Sequence, residues 1–348
     1  MCEEGPPSKH ITTLYTHKTE YNADSVEWCP HAPFQNLFVC ANYQLKDSKD
    51  KCERIGRILL FSLTPEDGLK LVQTINTAAV LDQKWCHSQI GNRSILGVVN
   101  SENALEIYGL NSELVELELI TRCQISGDEK ETLLLSLDWA TGKYPSDEPQ
   151  VVCSDSKGAI HRFRLKDDQL VEQGRWHGHE FEAWITGFYY WDTNIFFSGG
   201  DDCRFLKFDQ RVGPEPVSCN RSHEAGVTSL HSNLSKEYVL ATGSYDTSVR
   251  LWDIRCMKSC TNSIKMPGTL WRLKWDPFDN NFLLAACMLG GVHIINSTNI
   301  EDLQIIDSYY KHKNIAYGAD WSYLSPTSPD SVIIASCSFY DNLLCVSK

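Results

Sequence analysis

Apolar and aromatic residues recur along this chain in short, regularly spaced runs. Seven four-residue runs begin 42 to 57 residues apart, and six of them end on Trp or Tyr. The runs are Ser25–Trp28, Asp82–Trp85, Ser136–Trp139, Gly187–Tyr190, Ser229–Ser232, Arg272–Trp275 and Gly318–Trp321. A second stretch rich in β-forming residues follows each run. In the third unit, Ile160–Leu165 then alternates apolar and polar residues, as a half-buried strand does. The pattern predicts an all-β chain built from seven similar units.

One unit carries a more specific motif. Ala241–Asp246 has the form of a strand and a tight turn, Trp252 and Asp253 end the next strand, and His223 lies upstream. Repeats of about 40–45 residues with this arrangement resemble the WD-repeat β-propeller, in which each unit is a four-stranded blade. The predicted fold class is therefore an all-β, seven-bladed WD-repeat β-propeller.

The two ends of the chain are predicted to meet in the last blade. The chain ends in Asn342–Lys348, which is a third strand, so the last blade lacks a fourth. We expect Ile11–Tyr21 to supply that strand, because closure leaves no open sheet edge. The propeller then spans residues 10–348 and follows a disordered tail over residues 1–9. The charged run Lys46–Arg54 is predicted to be a solvated loop of the first blade.

Charge and composition argue against several classes of function. A net charge of −13 argues against a nucleic-acid partner. No stretch approaches the roughly 18 consecutive apolar residues of a membrane span, so no membrane association is expected. The N-terminus lacks the basic start and apolar core of a secretory signal. The 14 cysteines form no paired framework, which favours a cytoplasmic, reducing compartment.

Neither a metal nor a cofactor is predicted. His177 and His179 could offer two imidazoles, but a third ligand at a recognisable spacing is missing. The chain also has no Gly-rich phosphate loop. We therefore expect a protein that uses its own side chains without a metal ion or a cofactor. We also expect it to be a monomer.

The recurring Ser or Thr, His and Asp residues invite comparison with a hydrolase triad. In WD repeats the same residue types have a structural role. Asp246 orients His223, His223 reaches Thr242, and Thr242 reaches the indole of Trp252, so that buried polar groups are satisfied. We favour the structural interpretation for these four residues.

The preceding unit carries a partial version of this network. Ser198, His179 and Asp202 stand at the corresponding positions, whereas Phe208 replaces the Trp. Phenylalanine has no N–H donor, so we expect that network to be incomplete.

The residue before each turn Asp is predicted to project from the rim around the channel mouth. From the first blade to the last these residues are Tyr43, Ser101, Ser156, Asp201, Tyr245, Leu289 and Tyr340. Trp184 and Trp271 lie near the starts of two inner strands. Aromatic faces with a carboxylate suit a quaternary ammonium group, but tyrosines on a rim are equally typical of protein-binding surfaces. The residues alone leave both interpretations open.

Several longer strings carry a resemblance more specific than the repeat. They are Ala23–Pro30, Leu81–His87, Leu135–Trp139, His179–Ile185, Ser198–Asp202, Leu283–Met288, Tyr317–Trp321 and Cys337–Asp341. Together they closely resemble the eukaryotic diphthine methylesterase family, the WD-repeat proteins of diphthamide biosynthesis. The resemblance implies hydrolysis of the methyl ester of methylated diphthine, a modified histidine on elongation factor 2, with release of methanol. The substrate carries a trimethylammonium group, and elongation factor 2 is the implied partner.

The resemblance supplies no catalytic residue, so the mechanism is a hypothesis from the residues. A water molecule would be activated by Asp201 or by a neighbouring histidine, His179 or His223, and Arg272 would stabilise the oxyanion. A nucleophilic Ser244 is the covalent alternative. The predicted substrate-binding residues are Tyr43, Tyr245, Tyr340, Trp184 and Trp271.

A non-catalytic adaptor is the alternative function. Arg211 and Arg255 end two consecutive Trp/Phe-Asp-x-Arg motifs, a pattern often seen in substrate receptors of cullin–RING ubiquitin ligases. Both arginines would lie on the face opposite the mouth and contact a ligase adaptor there. The competing interpretation is that each arginine satisfies nearby acidic groups or strand-end carbonyls.

Overall fold

The computed structural model describes residues 11–48, 51–125, 132–325 and 332–348, in which 28 strands form seven four-stranded antiparallel sheets. Blade one contains β2 (Asn22–Trp28), β3 (Leu37–Ser48), β4 (Lys51–Thr64) and β5 (Gly68–Ala78). Blade two contains β6 (Val80–Trp85), β7 (Ile95–Asn100), β8 (Ala104–Asn111) and β9 (Glu116–Gln124). Blade three contains β10 (Leu134–Trp139), β11 (Gln150–Asp155), β12 (Ala159–Lys166) and β13 (Gln169–His177). Blades four and five contain β14 (Ile185–Phe188), β15 (Ile195–Gly199), β16 (Phe205–Asp209), β17 (Ser218–Asn220); and β18 (Val227–Ser232), β19 (Val239–Ser244), β20 (Ser248–Asp253), β21 (Asn262–Lys265). Blades six and seven contain β22 (Arg272–Trp275), β23 (Phe282–Ala286), β24 (Val292–Asn296), β25 (Gln304–Tyr309); and β26 (Ala316–Trp321), β27 (Ile334–Ser338), β28 (Leu343–Ser347), β1 (Thr13–Lys18).

The N-terminal strand completes the last blade, as predicted. β1 pairs antiparallel with β28, from Thr13 opposite Ser347 to Lys18 opposite Leu343. Reciprocal backbone hydrogen bonds between Thr12 and Lys348, of 2.7 and 3.0 Å, extend the ladder by one position. The all-β, seven-bladed propeller is confirmed, whereas the predicted tail over residues 1–9 lies outside the described residues.

Two local predictions about strands are wrong. The inner strand of blade four is Ile185–Phe188, two residues earlier than the predicted Gly187–Tyr190. The run of aromatic residues that continues to Trp191 offers several possible ends, and the chain turns at Tyr189, whose N–H donates to the Ile195 carbonyl at 3.0 Å. The charged run Lys46–Arg54 is mostly strand rather than loop, because β3 and β4 pair through it as far as Ser48 and Lys51; residues 49 and 50 lie outside the described residues.

The inner strands of neighbouring blades are joined by a repeated hydrogen bond. In four blades the Trp that ends the inner strand donates its indole N–H to a backbone carbonyl of the preceding blade, whereas the indole N–H of Trp28 has no partner among the described residues. The four bonds are Trp85 to Glu27 at 3.2 Å, Trp139 to Lys84 at 2.9 Å, Trp275 to His231 at 3.0 Å and Trp321 to Lys274 at 2.9 Å. These bonds hold four of the seven inner strands at a defined height against the strand before them.

The hydrophobic core is divided among the interfaces between successive blades. At the junction of blades one and seven, for example, Trp28 and Phe61 pack with Cys337 and Leu344, all of them buried. Burial of this apolar surface is the main contribution to the stability of the ring. Within the described ranges, no helix is long and apolar enough to cross a membrane.

Removal of β1 is predicted to destabilise the whole ring. A chain that begins at Thr19 loses the ladder on β28, and each lost hydrogen bond costs about 0.5–1.5 kcal/mol. The thermal midpoint should fall by many degrees, and the exposed edge of β28 should promote self-association. Thermal unfolding and size-exclusion chromatography, with a chain beginning at Ile11 as the control, measure both effects. Equal midpoints for the two chains would contradict the closure.

Candidate active site at the channel mouth

A cavity of about 630 Å³ opens at one end of the central channel. Each blade contributes to it the residue that lies four positions before the last residue of its inner strand. We call these seven residues the mouth ring: Asp24, Leu81, Leu135, Trp184, Thr228, Trp271 and Tyr317. Because the inner strands are parallel to one another around the axis and held in register, the same position in every blade reaches the same height.

Aromatic side chains form a continuous wall around one side of the cavity. The Trp271 ring lies nearly parallel to Tyr317, with centroids 4.6 Å apart, and to Tyr245 at 6.1 Å. The edge of Trp184 meets Trp271 at 5.7 Å. The contacts continue from Tyr317 to Phe339 at 5.1 Å, and from Phe339 to Tyr340 at 4.9 Å and Tyr43 at 5.9 Å. We call these seven residues the aromatic arc.

All five predicted substrate-binding residues lie in the aromatic arc and line the cavity. They are Tyr43, Trp184, Tyr245, Trp271 and Tyr340. The sequence reasoning missed Tyr317 and Phe339, although both stand inside strings that carried the family resemblance. Tyr317 occupies the same position in its blade as Trp271, so a comparison of inner-strand starts could have found it.

Asp201 lies on the rim beside the arc and is exposed. Its Oδ1 accepts a hydrogen bond from the Trp184 indole N–H at 2.9 Å. It is not among the residues that line the cavity. Asp201 therefore fixes the orientation of Trp184 in the aromatic wall.

The floor of the cavity is charged. Arg272 is 6% exposed, and its Nη2 lies 3.0 Å from Oδ1 of Asp82. Oδ2 of Asp82 accepts the Leu137 N–H at 3.1 Å, which holds this carboxylate in place. Burial would lower the pKa of the guanidinium, but Asp82, Glu27 and Asp24 together raise it. Arg272 therefore remains a cation at the bottom of the mouth.

Beyond Arg272 the channel is lined by further ion pairs. Arg272 also lines a smaller cavity of about 160 Å³ toward the opposite face. There Lys274 Nζ lies 2.5 Å from Glu27 Oε1, and Lys84 Nζ lies 3.5 Å from Asp138 Oδ1. Arg272 thus separates the mouth from a charged interior.

Asp24 is the floor residue that the sequence reasoning missed. Its side chain lines the cavity yet is only 6% exposed. Oδ1 has no hydrogen-bond partner among the described residues. Burial raises the pKa of this carboxyl well above its usual range, although the nearby Arg272 guanidinium opposes the rise.

His223 and His179 lie inside their blades rather than at the cavity. His223 contacts Asp246 through Nδ1 at 2.9 Å and Thr242 through Nε2 at 2.8 Å. The Trp252 indole donates to the same Thr242 hydroxyl at 2.8 Å. Burial lowers the pKa of His223, so it stays neutral.

The network of blade four matches its predicted partial form. His179 contacts Asp202 at 2.8 Å and Ser198 at 2.7 Å, and Phe208 provides no donor. In both blades each ring nitrogen is occupied. The geometry therefore gives His179 and His223 a structural role and leaves neither one free to activate water at the mouth.

Ser244 is likewise occupied. Its hydroxyl donates to the Ala225 carbonyl at 3.0 Å and accepts the Asp246 N–H at 3.0 Å. It is fully buried and does not line the mouth cavity. This geometry offers no support for a nucleophilic role.

Arg211 and Arg255 follow third strands that run away from the mouth. The Arg211 guanidinium is 52% exposed and pairs with Asp209 at 2.6 Å and Asp192 at 3.0 Å. Arg255 is 62% exposed, pairs with Asp253 at 2.6 Å, and lies 4.0 Å above the Tyr238 ring. Both arginines are on the expected face, but each one already binds carboxylates near its own motif.

Comparison with known proteins identifies the family. The WD domain, G-beta repeat model matches residues 214–253, which include most of blade five. The diphthine methyltransferase of Mus musculus is 37% identical over 90% of this chain and 70% of its own length. The diphthine methyltransferase homolog of Dictyostelium discoideum is 36% identical over 95% of this chain and 97% of its own length. The chain belongs to the diphthine methyltransferase family.

This membership confirms the family that the sequence strings suggested. A solved structure extends the comparison to the fold: one chain of a mitotic checkpoint complex superposes with a TM-score of 0.71 over 99% of this chain and 97% of its own length. At 16% identity that similarity concerns the propeller alone. Among the described residues of this chain, no cluster of three or more His, Cys, Asp or Glu side chains could hold a metal ion.

The structural role of the blade-five network predicts a stability effect. Trp252→Phe removes the indole donor to Thr242 and should cost about 1 kcal/mol of the free energy of unfolding. Thr242→Val should cost more, because it leaves both His223 and Trp252 without their buried partner. Urea denaturation of the two variants and the wild type measures the difference. Wild-type stability in Thr242→Val would contradict the assigned network.

Proposed function

We propose that this family member hydrolyses the methyl ester of methylated diphthine on elongation factor 2, and releases methanol during diphthamide biosynthesis. The observation that carries the proposal is a single cavity with an aromatic wall and a charged floor of Arg272 and Asp24. A substrate with a trimethylammonium group and an ester needs both features. The relatives named diphthine methyltransferase support a role in this pathway.

The aromatic arc is the proposed site for the trimethylammonium group. Cations are attracted to the faces of Trp and Tyr rings by about 0.5–2 kcal/mol per contact, most strongly where water is excluded. Trp184 and Trp271 are partly buried, and Asp201 holds Trp184 in one orientation. A quaternary ammonium group cannot donate hydrogen bonds, so ring faces and the carboxylate of Asp201 are suitable partners for it.

Arg272 is the proposed oxyanion group. Ester hydrolysis passes through a tetrahedral intermediate whose oxygen carries a negative charge, and a fixed cation close to that oxygen lowers the barrier. The 3.0 Å pair with Asp82 orients the guanidinium before substrate arrives. Removing one such donor from an oxyanion site costs about 10²–10³ in kcat in well-studied hydrolases.

The mouth is open enough for a residue that projects from another protein. Tyr340 is 64% exposed and Leu289 is 78% exposed on the rim. A modified histidine on elongation factor 2 would enter from this side, while the rim contacts the surrounding protein surface. A monomeric, cytoplasmic protein is part of the same proposal.

The adaptor alternative has less support from the geometry. It requires Arg211 and Arg255 to bind a partner, and both are paired with neighbouring carboxylates. It would also leave the mouth cavity without a role.

The proposed reaction can be tested directly by mass spectrometry. Purified protein is mixed with elongation factor 2 carrying methylated diphthine, and the factor should lose the mass of one methylene group (CH₂) as methanol appears. A gain of the same mass in the presence of a methyl donor would contradict hydrolysis. Stable binding without any mass change would favour the adaptor.

The cation site predicts a difference between two exposed tyrosines. Tyr340→Ala should raise KM about 2- to 30-fold, because one cation–ring contact is lost. Tyr144→Ala is the matched control, since Tyr144 is 56% exposed but does not line the mouth cavity. Steady-state methanol release measures both variants. An equal KM for the two would argue against a role of Tyr340 in binding.

A further inference from the structure

We propose that Asp24 is the proton-transfer residue of the mouth cavity, which takes a proton from the attacking water and returns it to the leaving methoxide. The inference rests on the proposed ester hydrolysis and names the catalytic residue that this reaction needs. It replaces Asp201, His179 and His223 in the hypothesis drawn from the sequence.

The position of Asp24 in the mouth ring is the first reason. The other six members of the ring are apolar, aromatic or Thr, so Asp24 is the one carboxyl at this height. It lines the same cavity as Arg272 and the aromatic arc, and it is level with Trp271 and Tyr317 in the mouth ring. A base at this point is within the same cavity as the cation site and the oxyanion site.

The absence of a structural role is the second reason. Three other buried carboxylates of the inner strands accept a backbone N–H from the next blade: Asp82 from Leu137 at 3.1 Å, Asp138 from Phe188 at 2.8 Å and Asp320 from Trp28 at 2.7 Å. A fourth, Glu27, pairs with the Lys274 ammonium group. Asp24 is also buried, but among the described residues it accepts no such backbone N–H, and its Oδ1 has no hydrogen-bond partner. A buried carboxyl without a hydrogen bond is costly to the fold. Its chemistry is therefore available to a ligand.

The electrostatic surroundings suit a general base. Burial raises the pKa of Asp24, the Arg272 guanidinium opposes the rise, and Asp82 adds to it. The other titratable groups that face it are Tyr317 and Cys337, and burial raises the pKa of both, so they are neutral. A carboxylate with a raised pKa binds a proton more strongly, which makes it a better base at neutral pH.

The reaction balances with water as the only co-reactant. The ionised Asp24 carboxylate removes one proton as the water oxygen bonds to the ester carbon, and Arg272 faces the resulting oxyanion. The bond between this carbon and the methoxy oxygen then breaks, and Asp24 gives its proton to the methoxide. The products are methanol and the carboxylic acid, and Asp24 is again ionised.

The variant Asp24→Asn tests the role against a structural one. It should reduce kcat by about 10²–10⁴-fold, the range for loss of a general acid–base group, with KM changed only a few-fold. Its thermal midpoint should equal or exceed that of the wild type, because a neutral amide replaces a buried carboxyl whose Oδ1 has no hydrogen-bond partner. A lower midpoint would overturn the claim that the blade makes no use of this carboxyl.

Asp155→Asn is the matched control. Asp155 is also buried, but it accepts the Ala159 N–H and contacts His161, both within blade three and away from the cavity. This variant should lower the thermal midpoint and keep the wild-type kcat. Asp24→Asn should thus lose activity and keep its stability, whereas Asp155→Asn should lose stability and keep its activity.

The pH dependence separates this proposal from the reaction it rests on. Wild-type kcat/KM should fall as the pH is lowered through the pKa of Asp24, and the residual rate of Asp24→Asn should lack that acid limb. If the wild type hydrolyses methylated diphthine and Asp24→Asn keeps either the rate or the limb, the role of Asp24 is overturned. If the wild type does not hydrolyse this substrate at all, the proposed function fails before Asp24 is in question.

Discussion

A hydrogen bond from the Trp indole of an inner strand to the preceding blade is the constraint that recurs most regularly along the channel. It recurs at Trp85, Trp139, Trp275 and Trp321. Each bond holds one inner strand at a defined height relative to its neighbour. Because the height is repeated, side chains at one position of seven separate blades converge on one cavity, and the mouth ring follows from this register.

The regular parts of the fold could be predicted from the sequence because they repeat. The regularly spaced runs, six of which end on Trp or Tyr, identified all seven blades, and the missing fourth strand identified the closure by β1. The errors arose where the local pattern was ambiguous. The end of β14 could not be located within a run of aromatic residues. The charges of Lys46–Arg54 suggested a loop, although β3 and β4 continue to pair there.

Only part of the candidate site could be predicted from the sequence, because only some of its residues have an unambiguous local pattern. Aromatic residues at turns and strand starts, such as Tyr245 and Trp271, could be placed at the mouth by aligning blades. The same alignment would also place Asp24 at the mouth, but it could not show that this carboxyl is buried, because an acidic residue at the start of a strand usually lies in water. For His179 and His223 the residue types allowed both a structural and a catalytic role, and the contacts in the structure agree with the structural one.

The pairing of β1 with β28 also determines when the site can exist. Asp24 belongs to the first blade, whereas Tyr317, Phe339 and Tyr340 belong to the last, and the two blades share one buried core. During synthesis these elements emerge at opposite ends of the chain, so the N-terminal strand has no partner until the final residues appear. Ring closure depends on contacts of the longest sequence separation, which form slowly. A nascent or C-terminally truncated chain therefore holds only fragments of the cavity, and recognition of substrate becomes a property of the finished molecule.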